Sequence, residues 1–84
     1  MSYSVYILKR AQKELAALPV SVYERIRNTI LGLEDNARPH GCRKLTGRDA
    51  WRIRVGSYHI IYEINDDLET ITIMHIGHRR DVYR

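Results

Sequence analysis

Arginines alternate with apolar residues in one short segment of this 84-residue chain, and further cations lie near its C-terminus. The segment reads Trp51-Arg52-Ile53-Arg54-Val55, where strand alternation would place both arginines on one face of a sheet. A two-residue turn at Gly56-Ser57 would set Arg54 opposite His59 in the next strand. Because adjacent cations repel each other and add nothing to fold stability, we expect this face to meet a polyanion.

Cleavage of RNA without a metal is a chemistry that such a cationic surface can support. The reaction needs a base for the 2′-hydroxyl, cations for the charge on the phosphate and an acid for the 5′-oxygen. Tyr83 is a candidate base, although the ordinary pKa of its phenol is ~10. The nearby cations Arg79, Arg80 and Arg84 would lower this pKa and favour the phenolate. The alternative for Tyr83 is packing of the chain terminus, and for the alternating arginines it is a solvated strand face.

Other polar residues carry weaker signals. His78 is a second candidate proton donor, with a solvated strand-end histidine as the alternative. Arg43, Lys44 and Arg48 are predicted to add non-specific phosphate contacts, with a solvated loop as the alternative. The pair His40-x-Cys42 has no second pair at zinc-ligand spacing, so we predict neither a metal nor a cofactor.

The charge of the chain is unevenly distributed. The net charge is +4, but residues 38–59 contain six Lys/Arg against one acid, and residues 63–69 contain four acids and no base. This polarity suits nucleic acid or another acidic partner. The single Cys42 indicates a reducing compartment, and no apolar run reaches membrane-span length, so we expect a cytoplasmic protein without membrane association.

Periodicity and turn residues predict one α+β domain over residues 1–84, with two N-terminal helices packed on a twisted, mainly antiparallel four-stranded sheet. A capping box at Ser21–Glu24 is predicted to start the second helix, between Pro19 and Ser21, and the helix should end by Asn36. The other predicted elements are a strand at Tyr3–Leu8, a helix at Arg10–Leu18, and strands at Trp51–Val55, Tyr58–Asn65 and Thr70–Ile76.

The order strand, two helices, three antiparallel strands, together with four motifs, resembles the RelE/ParE toxin superfamily, nearest to its RelE branch. The motifs are Lys44-Leu45-x-Gly47, the segment 51–55, Ser57-Tyr58-His59-Ile60-Ile61-Tyr62-Glu63-Ile64 and the closing Gly77-His78-Arg79-Arg80-Asp81-Val82-Tyr83. The resemblance covers essentially the whole chain. It implies a β-α-α-β-β-β toxin that cuts messenger RNA in the ribosomal A site as an endoribonuclease and is silenced by a cognate acidic, RelB-like antitoxin.

The resemblance also implies roles for individual residues. The basic strand pair of RelE-type enzymes falls on Arg52 and Arg54, the arginine after the Gly-x step on Arg79, and the C-terminal tyrosine on Tyr83. His59 departs from the family, which usually has an arginine there. Arg54 and Arg79 would then hold the scissile phosphate, and His59 or an arginine would protonate the leaving group. The residues expected to bind RNA are Arg52, Lys44, Arg43, Arg48 and Arg80.

Two other functions stay open at the level of the sequence. A ParE-like toxin would share the fold but act on DNA gyrase and lack RNA-cleaving residues; the arginine pair and Tyr83 argue against it. In a catalytically weakened relative, the change at His59 would have removed catalysis and left only antitoxin binding.

Overall fold

The computed structural model describes residues 2–78 and contains two helices and five strands. In chain order these are β1 (Ser4–Ile7), α1 (Lys9–Ala16), α2 (Val20–Gly32), β2 (Arg43–Lys44), β3 (Trp51–Val55), β4 (Tyr58–Asn65) and β5 (Thr70–His78). No helix among the described residues is long and apolar enough to cross a bilayer.

The strands form one mixed sheet in the order β1-β5-β4-β3-β2. β1 runs parallel to β5, and the other neighbours are antiparallel. The predicted α+β arrangement of two helices on a mainly antiparallel sheet is confirmed, with five strands instead of four. The additional strand, β2, is only two residues long, which is too short for an alternating sequence pattern to reveal.

The apolar residues of both helices pack against one face of this sheet. Ala11 of α1 and Ile26 of α2 are fully buried in the core, together with Leu33 after α2. The sheet contributes six buried residues to the same core: Ile53, Ile60, Tyr62, Ile71, Ile73 and Ile76. A fully buried aliphatic side chain stabilises a fold by about 1.5–3 kcal/mol, so these residues fix which sheet face the helices cover.

The predicted capping box at the start of α2 does not form. Pro19 is the N-cap residue, its backbone is extended (φ −55°, ψ 149°), and no side chain caps the helix. Because the helix begins at Val20, Ser21 already lies inside the first turn, where its hydroxyl cannot act as an N-cap. Pro19 therefore caps the start of α2, three residues after the end of α1 at Ala16.

A polar cluster joins the loop after α2 to residues at one end of the sheet. Arg38 donates two hydrogen bonds to the carboxylate of Asp66, at 3.2 and 2.9 Å, and its guanidinium lies 5.0 Å from the ring centre of Trp51. The hydroxyl of Tyr3 donates to the same carboxylate at 2.7 Å. These contacts tie the loop before β2 to Asp66 and to Trp51, the first residue of β3.

Candidate nucleic-acid interface

The β3–β4 hairpin has the register that the sequence predicted. Arg54 pairs with His59 and Arg52 with Ile61 across the hairpin, and these residues lie on the face opposite the helices. β2 adds a third strand to this face, because Arg43 pairs with Arg52. Three arginines from β2 and β3 therefore share one sheet face.

The three arginines line one groove. Arg43, Arg52 and Arg54, together with Gly41, surround a cavity of about 390 Å³, within the range of ~300–1,000 Å³ typical of ligand sites. Gly41 has φ +94°, a conformation that residues with a Cβ rarely adopt, and it turns the chain into β2. Guanidinium groups bind phosphate oxygens in a planar, bidentate fashion, so this groove can hold a phosphodiester.

A fourth cation approaches the hairpin from α2. A side chain on Gly56 would place its Cβ 3.4 Å from the terminal nitrogens of Arg25, and Gly56 itself has φ +60°. The turn between β3 and β4 thus favours a glycine for its backbone conformation, while a Cβ would make only ordinary van der Waals contact with Arg25. Nothing in the local sequence around Arg25 indicates this contact, since it depends on how α2 crosses the sheet.

His59 lies where the hairpin register predicted but not at the surface. His59 is the second residue of β4, paired with Arg54 of β3 on one side and Gly77 of β5 on the other, and it is 2% exposed. The sequence placed His59 on an open cationic face. Burial separates its ring from solvent, so direct protonation of a surface-bound leaving group by His59 stays a prediction.

The remaining predicted site residues do not join the groove. Lys44 pairs with Trp51, which puts it on the other sheet face, where its Nζ lies 3.9 Å from Asp49. Arg48 is exposed in the loop after β2. His78 pairs with Tyr58 on the helix-covered face, with their rings 5.5 Å apart in an edge-to-face arrangement. The expected roles of Arg79, Arg80 and Tyr83 lie outside the described residues.

One polar contact at the edge of the sheet is not indicated by the sequence. Glu14 of α1 accepts a hydrogen bond at 2.9 Å from the backbone N–H of Ile76, and its other carboxylate oxygen lies 2.7 Å from Nδ1 of His75. Glu14 and Ile76 are 62 positions apart, so only the packing of α1 against β5 brings them together. The sequence pattern of α1 predicts only that Glu14 is an ordinary exposed helix residue.

Comparison with known proteins supports one family. Residues 5–83 match the family described as ParE toxin of type II toxin-antitoxin system, parDE. The chain is 28% identical to Toxin RelG of Mycobacterium tuberculosis, covering 100% of this chain and 99% of that protein. It is 31% identical to Putative toxin RelE1 of Methanocaldococcus jannaschii, covering 100% and 98%.

A solved structure agrees with this assignment. The toxin in the crystal structure of the archaeal RelE-RelB complex from Pyrococcus horikoshii OT3 superposes with a TM-score of 0.86 at 32% identity, covering 96% of this chain and 99% of that chain. The fold, the family match and the relatives thus lead to the same assignment. The chain belongs to the ParE toxin family, within the RelE/ParE superfamily, and is the toxin of a type II toxin–antitoxin pair.

Proposed function

We propose that this toxin is a metal-independent endoribonuclease that cuts messenger RNA in the ribosomal A site and thereby inhibits translation. The observation that carries this proposal is the groove lined by Arg43, Arg52 and Arg54 on one sheet face. A phosphodiester in the groove would bring negative charge close to these three guanidinium groups, which bind phosphate oxygens well.

The proposed reaction is an internal transesterification. The 2′-oxygen attacks phosphorus, the bond from phosphorus to the 5′-oxygen breaks, and the products are a 2′,3′-cyclic phosphate and a 5′-hydroxyl. Tyr83 takes the proton of the 2′-hydroxyl, and Arg54 with Arg79 stabilises the charge that develops on the phosphate oxygens. His59 or an arginine gives the proton to the 5′-oxygen. Arg52 and Arg43 hold the neighbouring RNA backbone.

The proposed silencing partner is an acidic, RelB-like antitoxin. Support comes from the Pyrococcus horikoshii relative, whose structure is that of a RelE-RelB complex. Carboxylates of such a chain would bind the same arginine groove that we assign to RNA. Antitoxin and messenger RNA would then compete for Arg52 and Arg54, which explains inhibition without a change in the toxin fold.

The decisive test is induction of this chain alone, followed by primer extension on translated and untranslated copies of one transcript. We expect new cuts in the translated transcript and few in the untranslated one, because a groove of three arginines cannot by itself fix the RNA in a reactive geometry. Arg54→Ala should lose the cuts. Arg27→Ala is the matched control, since Arg27 is an equally charged, exposed residue on α2 that does not line the groove.

Two other outcomes would replace this proposal. Inhibited gyrase with intact messenger RNA would favour a ParE-like toxin. This alternative is consistent with the description of the matching family as ParE toxin. Antitoxin binding without any cleavage would favour a catalytically weakened relative, an alternative suggested by the buried His59 at a position where the superfamily usually has an arginine.

A further inference from the structure

The free edge of β5 is held by a helix. β1 pairs with β5 only from Ser4 opposite Thr70 to Ile7 opposite Ile73, and the N–H of Leu8 then donates to the carbonyl of Ile73 at 3.1 Å. Beyond Ile73, this edge of β5 has no strand neighbour among the described residues. A strand edge without a neighbour leaves N–H groups that need another acceptor.

Glu14 supplies that acceptor with one oxygen and contacts His75 with the other. Oε1 accepts from the N–H of Ile76 at 2.9 Å, and Oε2 lies 2.7 Å from Nδ1 of His75. The side chains of Glu14 and His75 are 25% and 19% exposed, so both contacts are partly shielded from water. A hydrogen bond to a carboxylate, such as the one that Ile76 donates, is roughly twice as strong as a neutral one, and shielding strengthens it further.

A β-bulge gives two successive residues of β5 access to the same carboxylate. Ile61 of β4 pairs with His75 and Tyr62 pairs with Ile73, which leaves Met74 as the extra residue. Bulges bend a strand and redirect its side chains. The bulge therefore lies immediately before the two residues that Glu14 holds.

We propose that Glu14 is a positioning residue that, with His75, fixes the end of β5 from which the chain continues to Arg79 and Tyr83. This inference rests on the proposed function, because Arg79 follows directly after His78 in the sequence. A displacement of about 1 Å in a reactive geometry can lower a rate by ~10²-fold. If the end of β5 is held in one place, the residues that follow it start from a defined position, and this can increase the cleavage rate by a large factor. In this role Glu14 itself touches no substrate.

The strand register favours a positioning role for Glu14 and His75 over direct participation in the chemistry. His75 pairs with Ile61, and Ile61 pairs with Arg52, so His75 and Arg52 are two strands apart. Two interstrand spacings separate their backbones by roughly 10 Å. Each oxygen of the Glu14 carboxylate already contacts a group of β5, which favours a role in holding this strand over a role as a free acid or base.

The test uses Glu14→Ala in two independent measurements on the full chain. In single-turnover cleavage of programmed ribosomes, we expect the rate at saturation to fall by ~10- to 10²-fold, with ribosome affinity changed by less than about 2-fold. In amide hydrogen exchange, the N–H of Ile76 should exchange at least about 10-fold faster, while the amides of β4 stay protected. Arg10→Ala is the control, because Arg10 contacts Glu14 at 3.5 Å but is 70% exposed, and both readouts should remain at wild-type values.

Substitutions of His75 separate positioning from catalysis. His75→Asn keeps a polar side chain that can contact Glu14 near the place of Nδ1 and should retain most of the cleavage rate, whereas His75→Ala should lower it by ~3- to 10-fold. If Asn and Ala at His75 lower the rate equally while Ile76 stays protected, His75 acts in the chemistry and the proposal is overturned. The proposal is also overturned if Glu14→Ala cuts at the wild-type rate although the N–H of Ile76 is no longer protected from exchange.

The remaining outcomes also decide the inference. If Glu14→Ala fails to fold, Glu14→Gln takes its place, because glutamine keeps an oxygen that can accept from the N–H of Ile76. We expect Glu14→Gln to cut within about 3-fold of the wild-type rate. A Glu14→Gln variant that folds but does not cut would contradict the positioning role. A wild-type chain that cuts no ribosome-bound RNA overturns the proposed function and the catalytic part of this inference together. The exchange of Ile76 then still shows whether Glu14 fixes the edge of β5.

Discussion

Arg54 and His59 are directly opposed across the β3–β4 hairpin, yet Arg54 is exposed and His59 is buried, at 2% exposure. The two side chains share one sheet face but differ in depth. A guanidinium on its three-methylene stem is longer than an imidazole, so an arginine at the position of His59 would extend further towards the groove. The depth of His59 therefore limits what this histidine can do at a surface-bound phosphate.

The first prediction concerns His59→Arg. We expect cleavage near neutral pH to increase several-fold, because an arginine adds a permanent charge that can reach the phosphate, while an imidazole is neutral over much of the range from pH 6 to 8. The rate of the wild type should decline more steeply than that of the variant as the pH rises. Single-turnover cleavage of a programmed ribosome between about pH 6 and 8 measures both. Identical pH profiles would mean that His59 is a bystander.

The second prediction concerns the salt dependence of ribosome binding. Affinity should fall strongly with ionic strength, and Arg54→Ala should weaken it by about 10-fold and lower the slope of log affinity against log salt by about one phosphate contact. Arg27→Ala changes the net charge equally and should leave the slope unaltered. Filter binding or light scattering at four or five salt concentrations gives the slopes. Equal slopes for both variants would place the phosphate contacts elsewhere.

The third prediction concerns Tyr83→Phe. If the phenol is the base, cleavage should drop by about 10²-fold or more while ribosome affinity stays nearly unchanged. Loss of the hydroxyl removes a proton acceptor but no charge that holds RNA. The rate at saturation and the dissociation constant are to be measured on the same preparation. A Phe variant that binds as poorly as Arg54→Ala would make Tyr83 a packing residue.

The parts of the fold that the sequence predicted well are those set by local patterns. The bounds of β3 and β4 and their register follow from strict alternation around the two-residue turn at Gly56 and Ser57. The same alternation is sufficient to place Arg52 and Arg54 together on one face of the sheet. Local patterns therefore predicted the shared face of Arg52 and Arg54 correctly.

The parts that the sequence missed depend on tertiary contacts. β2 is recognisable only through its pairing with β3, so the sequence placed Arg43 in a loop that makes non-specific phosphate contacts and not in a strand beside Arg52. The burial of His59 depends on what covers the sheet face, which alternation cannot show. The contact between Glu14 and Ile76 spans 62 positions and has no local signature. In each case the missing information is the relative placement of elements that are distant in sequence.

The last prediction concerns the cluster of Tyr3, Arg38 and Asp66. The Arg38 guanidinium, followed by the Tyr3 hydroxyl, holds the pKa of Asp66 below its ordinary value. A lowered carboxyl pKa means that the contact stabilises the fold above the ordinary pKa of ~3.9, and that this stabilisation is lost as the pH falls through the folded-state value. We expect Asp66→Asn to lower the melting temperature by roughly 2–4 °C at pH 7, with the difference from wild type shrinking below about pH 4.

The same cluster predicts the opposite behaviour at high pH. The hydrogen bond to Asp66 raises the pKa of Tyr3, so the contribution of the neutral hydroxyl is present below the ordinary value of ~10 and is lost as the pH rises above it. The difference between wild type and Tyr3→Phe should thus be constant to about pH 9 and then decline. Asp67→Asn, at the adjacent exposed acid, is the matched control for net charge. Thermal melts from pH 3 to 11 measure the melting temperatures of all variants. Of the two acids, only Asp66 contacts Arg38 directly. If Asp66→Asn and Asp67→Asn lower the melting temperature equally, the effect comes from the overall charge and not from this contact.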